Sequence, residues 1–276
     1  MLALPLAGVF LALTGAPDAD ARQSGAKKDL IQETFLTTLD PQVAALLRAA
    51  SDAYMKMHSY RHTVVQNWRG ETEEGVTEKS ESCPFAIQRP NKFLYTCFDS
   101  SYVQVSDGRI FVDYLGNEYR KNPAPSAFNK VEIGQDAGWP NPQANSFVML
   151  LFQGKMLQML QGKLTWRSAH GEKQIPDFKP GPVVEEEGRQ YQTILRVWSD
   201  THQDTLYFDS GTHLIARMKQ EFHDGGGKLT IIERFDNIEI NRPIDESLFK
   251  FTPPDEATLV KEFTPLPKDD PQGVDR

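Results

Sequence analysis

The sequence predicts an α+β fold that is mainly antiparallel β, a large curved sheet of about 10–11 strands with helices packed on its concave side. Three observations point to it. Short β-type runs separated by turn residues fill residues 61–121 and return after residue 162. An amphipathic helical stretch precedes the first set, and an apolar helical stretch stands between the two. A sheet of that many strands must curl, and an apolar face of that size needs a cover.

The N-terminus reads as an export signal. "MLALPLAGVFLALTGAPDADA" is apolar through Ala16 and ends in Ala19-Asp20-Ala21, an A-x-A pattern. Its apolar core of about fifteen residues is short for a bilayer span and right for a secretory h-region, although no positively charged n-region precedes it. The alternative, a buried N-terminal helix, fits less well with the polar "DADARQSGAKKD" that follows. Residues 1–21 are therefore expected to be a signal peptide and 22–37 a polar leader, with the mature protein in the periplasm. No cysteine stands near the cleavage point to take a lipid anchor.

Residues 39–60, "LDPQVAALLRAASDAYMKMHSY", open with Asp40 as N-cap and Pro41 at the first helical position. Val43, Leu46, Leu47, Ala50, Tyr54 and Met57 then recur at helical spacing. The next runs, "HTVVQNWRGE", "EKSESCPFAIQ", "KFLYTCF", "YVQVS", "RIFVDYL" and "NEYRK", read as an antiparallel meander, with Asp107-Gly108 as a two-residue hairpin turn. Residues 122–143 are rich in Pro, Gly and Asn and read as a long loop.

Residues 144–162, "ANSFVMLLFQGKMLQMLQG", are apolar around most of a helix and interrupted by Gly154, so one broken helix or two short ones are expected. Strands return in "KLTWRSA", "RQYQTILRVWS", "DTLYFDS", "HLIARMKQEFH" and "KLTIIERFDNIEI". In "LIARMKQEF", Leu214, Ala216, Met218, Gln220 and Phe222 alternate with Ile215, Arg217, Lys219 and Glu221, one dry face and one wet. One domain over 38–264 and a disordered tail over 265–276 complete the plan.

The chemistry of the chain is sparse. A net charge of −8 with no basic run argues against nucleic-acid binding. His58 and His62 stand four apart in "HSYRH", yet the helix ends there and no third ligand is evident, so a pair of half-exposed junction histidines is expected and not a metal site. There is no G-x-S-x-G elbow, P-loop or G-x-G-x-x-G. "DGGGK" (224–228) lies between two strands and reads as a hairpin turn, and "EEE" (185–187) as a solvated turn. Neither an enzyme nor a cofactor is expected.

Methionines are the better pointer. Met149, Met156 and Met159 lie in the helical cover beside Phe147, Leu150, Leu151, Phe152, Leu157 and Leu160. Flexible, polarisable methionine suits a surface that accepts varied apolar shapes, although ordinary core accounts for it as well. An apolar cover over a concave sheet is the arrangement of a lipid-sized pocket. Leu214, Met218, Phe222, Leu229 and Ile231 would line its wall, and Phe147, Leu150, Leu151, Met156, Met159 and Leu160 its lid.

The ordered parts resemble a known family. The hairpin "FAIQRPNKFLY", the block "VSDGRIFVDYLGNEYRKNPAP", the strand pair "LYFDSGTHLIARMK" and the closing "LFKFTPPDEA" are similar, in that order, to motifs of the periplasmic outer-membrane lipoprotein carrier (LolA/LolB-like) superfamily. The resemblance spans roughly residues 39–258. It implies an unclosed antiparallel β-barrel with a helical lid over a hydrophobic cavity that carries lipid, an acyl chain or a lipoprotein across the periplasm. Related domains sense envelope state, so the alternative is an interaction domain that grips a partner protein with the same surface. The family brings no metal and no catalytic residue, and a monomer is expected.

Both cysteines fall in "SESCPFAIQRPNKFLYTCF" (80–98). In a hairpin centred on Pro90, paired positions sum to about 180, which sets Cys83 opposite Cys97. Cross-strand Cβ atoms lie about 4.5–5.5 Å apart and a disulfide needs about 3.5–4.5 Å, so a small adjustment joins them. A redox couple would show C-x-x-C, and two thiols alone make a poor zinc site. A structural disulfide is the expectation, and it agrees with export.

Overall fold

The structure, a computed structural model, describes residues 11–12, 39–97, 102–124, 148–149, 151–154, 156, 167–168 and 176–263. Helix α1 (Pro41–Met55) starts as the sequence predicts. Asp40 caps it, its Oδ1 accepting the Gln42 N–H at 2.7 Å, and Pro41 occupies the first turn where its missing N–H costs nothing. Val43, Leu46, Leu47, Ala50 and Tyr54 form its buried face, and Met57 is buried just beyond its end.

Strands β1 (Ser59–Thr72), β2 (Gly75–Gln88), β3 (Lys92–Cys97), β4 (Tyr102–Asp107), β5 (Ile110–Leu115) and β6 (Glu118–Pro123) form an antiparallel meander. Two short strands, β7 (Asp177–Pro180) and β8 (Val184–Glu186), lead into a second run: β9 (Arg189–Ser199), β10 (His202–Asp209), β11 (Ile215–Asp224) and β12 (Gly227–Ile240). A last short strand, β13 (Thr258–Leu259), pairs in parallel with β6. These strands form one sheet ordered β8-β9-β10-β11-β12-β1-β2-β3-β4-β5-β6-β13, with β7 beside β9. The two halves meet where β12 pairs with β1, from Gly227 opposite Thr72 to Ile240 opposite Tyr60.

Among the described residues the edges of this sheet do not pair with each other, so the fold is a curved, unclosed half-barrel. Among those residues it counts 13 strands against the 10–11 expected, because β7, β8 and β13, of two to four residues, are too short to show a period. Of the expected strand "KLTWRSA", Arg167–Ser168 is described, and it pairs with Leu11–Ala12 outside the large sheet. The β4–β5 turn shifts by one residue from the sequence reading. Asp107 Oδ1 accepts the N–H groups of Arg109 and Ile110 at 2.7 and 2.8 Å, which leaves Gly108 and Arg109 as the loop, with Gly108 at φ 94°.

Both faces of the sheet are covered. On the concave side α1 and the helical turns at 148–156 bury Val148, Met149, Leu151, Phe152 and Met156 against the main core. Gly154 interrupts those turns at φ 68°, as the sequence predicts, with Met55 packed directly above it. On the convex side the chain after β12 straps across β2–β5. Ile244 and the 3-10 turn Glu246–Phe249 cover Ala86, and Phe251 packs on Tyr114 at 5.2 Å. Beyond β13 the chain reaches the concave side, where Phe263 packs against the main core and lies beneath the Arg120 guanidinium at 4.4 Å.

Candidate functional site: the concave face and its cover

Strand alternation selects the residues that face inward. On β1 these are Tyr60, His62, Val64 and Gln66; their partners on β2 are Ile87, Phe85, Cys83 and Glu81. The face continues through Phe93 and Tyr95 on β3 and through Tyr102 and Gln104 on β4. In the other direction it runs through Phe235 and Glu233 on β12, Met218 and Gln220 on β11, Leu206 and Asp204 on β10, and Ile194 and Arg196 on β9.

Beneath the cover this face is aromatic. Tyr54 of α1 meets Tyr60 edge-on at 5.4 Å, and edge-on contacts continue through Phe85–Phe93 and Tyr95–Tyr102, each at 5.7 Å. Burial pushes the Tyr54 phenol well above its ordinary range, and its oxygen accepts the Ile215 N–H at 3.3 Å. His62, expected to be half-exposed, is instead buried, its ring stacked on Phe235 at 4.3 Å and on Phe85 at 4.8 Å. The even phase of β1 forces it inward. His58 lies exposed outside the strand, so the two histidines do not converge. Among the described residues no cluster of His, Cys, Asp and Glu is arranged to hold a metal.

Flanking the aromatic zone, the same face carries polar pairs set directly across neighbouring strands. Asp204, fully buried, receives Arg196 Nε at 2.6 Å, Trp198 Nε1 at 2.7 Å and His202 Nε2 at 3.2 Å. Burial alone would raise its carboxyl; the Arg196 charge, then the bonds from His202 and Trp198, outweigh this and hold it below the usual carboxylate range. Gln66 donates to Glu233 Oε1 at 2.8 Å, and Arg120 pairs with Asp113 on the far flank. Sequence reasoning missed these groups. The signal was their phase: Arg196 stands two residues from Ile194 and Asp204 two from Leu206, so each shares the dry row of its own strand.

The predicted lining divides into two groups. On the wall, Met218 and Ile231 are buried, while Phe222 and Leu229 face each other across β11 and β12 and are half-buried. Leu214 is buried too, but in the turn before β11. A bulge that sets Tyr207 against Arg217 and Phe208 against Ile215 skips Ala216, so Ile215 joins the inner row there. On the lid, Leu151 and Met156 are buried in the core, and Phe147, Leu150, Met159 and Leu160 lie outside the described residues. The β2–β3 ladder pairs Phe85 with Tyr95 and Gln88 with Lys92, the register expected. Cys83 is buried and disulfide-bonded; Cys97, the other cysteine of the sequence, ends β3, and its side chain lies outside the described residues.

Fold and site together define an open half-barrel whose apolar concave face is roofed by helix. Among solved structures the chain is similar to an uncharacterized conserved protein of Thermus thermophilus, at 11% identity and a TM-score of 0.44, covering 79% of this chain and 98% of that one. It is similar to the Mycobacterium tuberculosis lipoprotein LppX at 14% identity and a TM-score of 0.35, covering 75% and 99%. A LolA superfamily protein of Nitrosomonas europaea is similar at 9% identity and a TM-score of 0.32, covering 75% and 96%. No family model matches the sequence, and no curated protein matches it.

Proposed function

We propose that this chain is an exported, non-enzymatic binding protein that holds a lipid, acyl chain or lipoprotein against its concave face for transport or sorting across the periplasm. One observation carries the reading. Met218, Ile231, Phe222 and Leu229 lie on one face of two adjacent strands, with Gln220 and Glu233 in the same rows; Met218 and Ile231 are buried, and Phe222 and Leu229 are half-buried. Apolar side chains that pass from buried to half-buried along one face offer a chain a surface on which each added methylene is worth about 0.8 kcal/mol. In this reading Leu151 and Met156, buried beneath the cover, belong to the lid side of the site, together with Phe147, Leu150, Met159 and Leu160 of the sequence expectation, which lie outside the described residues. Cys83 and Cys97 staple the β2–β3 hairpin, which fits an oxidising compartment and the signal-like N-terminus.

The test is extraction of the purified protein with organic solvent and mass spectrometry of the extract, beside titration with a fluorescent fatty acid. Co-purified lipid and saturable binding are expected. Absence of both overturns the proposal, and capture of a single envelope protein without lipid replaces it with the interaction-domain reading.

A further inference from the structure

The apolar strip of Met218, Ile231, Phe222 and Leu229, proposed above as the ligand's seat, ends beside a polar group on the same face. Across the sheet Gly70, Leu229, Phe222 and His202 stand side by side on β1, β12, β11 and β10. They form the last apolar rank before the Asp224–Gly227 turn. Neighbouring strands lie about 5 Å apart, so His202 stands roughly 10 Å from Leu229 along that rank. Its side chain is 11% exposed, between the fully buried Asp204 and the open rim at Thr201.

The neighbours of His202 fix what its ring can offer. Phe222 stacks on it at 4.2 Å and Trp198 lies nearly parallel at 5.8 Å, so the ring is held between aromatic neighbours and works through its edge. On that edge Nε2 meets Asp204 Oδ1 at 3.2 Å. The other oxygen of the carboxylate already takes Arg196 Nε at 2.6 Å and Trp198 Nε1 at 2.7 Å. Burial would raise the Asp204 carboxyl, but the Arg196 charge holds it low and ionised, and an ionised carboxylate only accepts. Nε2 therefore carries the proton of the bond. In a neutral imidazole one nitrogen donates and the other accepts, which leaves Nδ1 as a bare acceptor. Nδ1 of His202 has no hydrogen-bond partner among the described residues and, unlike Nδ1 of His213, is not sealed from solvent.

We infer that His202 reads the polar end of the ligand, and that this end is uncharged and carries a hydrogen-bond donor, as a hydroxyl does. Given the lipid-binding reading on which this rests, the chain lies on Met218, Ile231, Phe222 and Leu229 and the donor meets Nδ1 at the end of the strip. A fatty-acid carboxylate has no proton to give and sets acceptor against acceptor, beside the Asp204 charge. An ether fails in the same way without the charge. Fatty acids are therefore held by the strip alone, and hydroxyl-bearing amphiphiles by strip and histidine together.

Dodecanol, methyl dodecyl ether and dodecanoate share one chain and differ at the polar end. Each is titrated by calorimetry into wild type, His202→Phe and His202→Gln at about pH 8, where an ordinary imidazole is neutral, with circular dichroism as the check on folding. Phenylalanine keeps the stack on Phe222 and removes both nitrogens; glutamine keeps a donor for Asp204 and an acceptor for the ligand. Wild type is expected to bind dodecanol roughly three- to tenfold more tightly than the ether, and dodecanoate no better than the ether. The preference for the alcohol should vanish in His202→Phe, with the ether's affinity unchanged within about twofold, and return in part in His202→Gln. Equal binding of alcohol and ether by wild type, a comparison that needs no variant, overturns the role of His202 and leaves the lipid-binding reading standing. A preference kept in a folded His202→Phe, or tighter binding of dodecanoate than of dodecanol, also overturns that role. Binding of none of the compounds overturns the lipid-binding reading and the role of His202 with it.

Discussion

Arg89 holds Phe152 twice: its guanidinium donates to the Phe152 carbonyl at 3.1 Å and stands over the Phe152 ring at 4.2 Å. The same side chain donates to the carbonyls of Met57 at 2.8 Å and Met55 at 3.3 Å, which the end of α1 leaves without helical partners. One residue of the β2–β3 turn thus joins both helical parts of the cover. Arg89→Ala is expected to cost about 1–3 kcal/mol, measured by denaturant unfolding. Limited proteolysis at 148–156 should also quicken more than overall unfolding does; equal protection in the variant would detach the cover from Arg89.

The Arg196–Asp204 pair yields a pH dependence of definite sign. The Asp204 carboxyl lies lower in the folded chain than the unfolded value of about 3.9, so its contribution is fully present above that pH and is lost as pH falls through the folded value. Asp204→Asn strands the Arg196 charge in the sheet and should cost about 3–5 kcal/mol at neutral pH. The gap between variant and wild type should then narrow below about pH 4. A gap that stays constant down to about pH 2 would place the acid sensitivity elsewhere.

His62 fills space between two phenylalanine rings. Its replacement by alanine leaves a cavity between Phe85 and Phe235 and should cost about 2–4 kcal/mol, while His62→Phe keeps the stack and recovers part of it. A tolerated His62→Ala in thermal unfolding would contradict the packing described.

Joining Cys83 to Cys97 closes a loop of about fifteen residues, worth roughly 3 kcal/mol by chain entropy. Peptide mapping without reductant should recover the two cysteines as one linked species, and the Cys83→Ser, Cys97→Ser double variant should lose about that stability. Two separate peptides would remove the staple from the account.

How far the sequence carries the fold depends on range. Helix α1 was legible because Asp40, Pro41 and the apolar period lie within a few turns of one another. The β2–β3 register was legible because one short turn sets it. What alternation does not encode is partnership: nothing local to "TVVQNW" says that Phe235 and Glu233 will lie beside it rather than another edge. The polar pairs were missed for a related reason. Arg196 and Asp204 read as wet residues by type and as dry residues by phase, and only their meeting across two strands makes both true.

The β12–β1 seam also sets an order of events. Until residue 240 has been made, β1 keeps an open row of N–H and C=O groups fourteen residues long, already patterned for pairing and lined with aromatics. Distant pairings of this kind form slowly, and an uncovered edge recruits other chains. The first half of this protein is therefore its hazardous intermediate. A truncation ending before β12 should aggregate even though every contact of the β1–β6 meander is available to it.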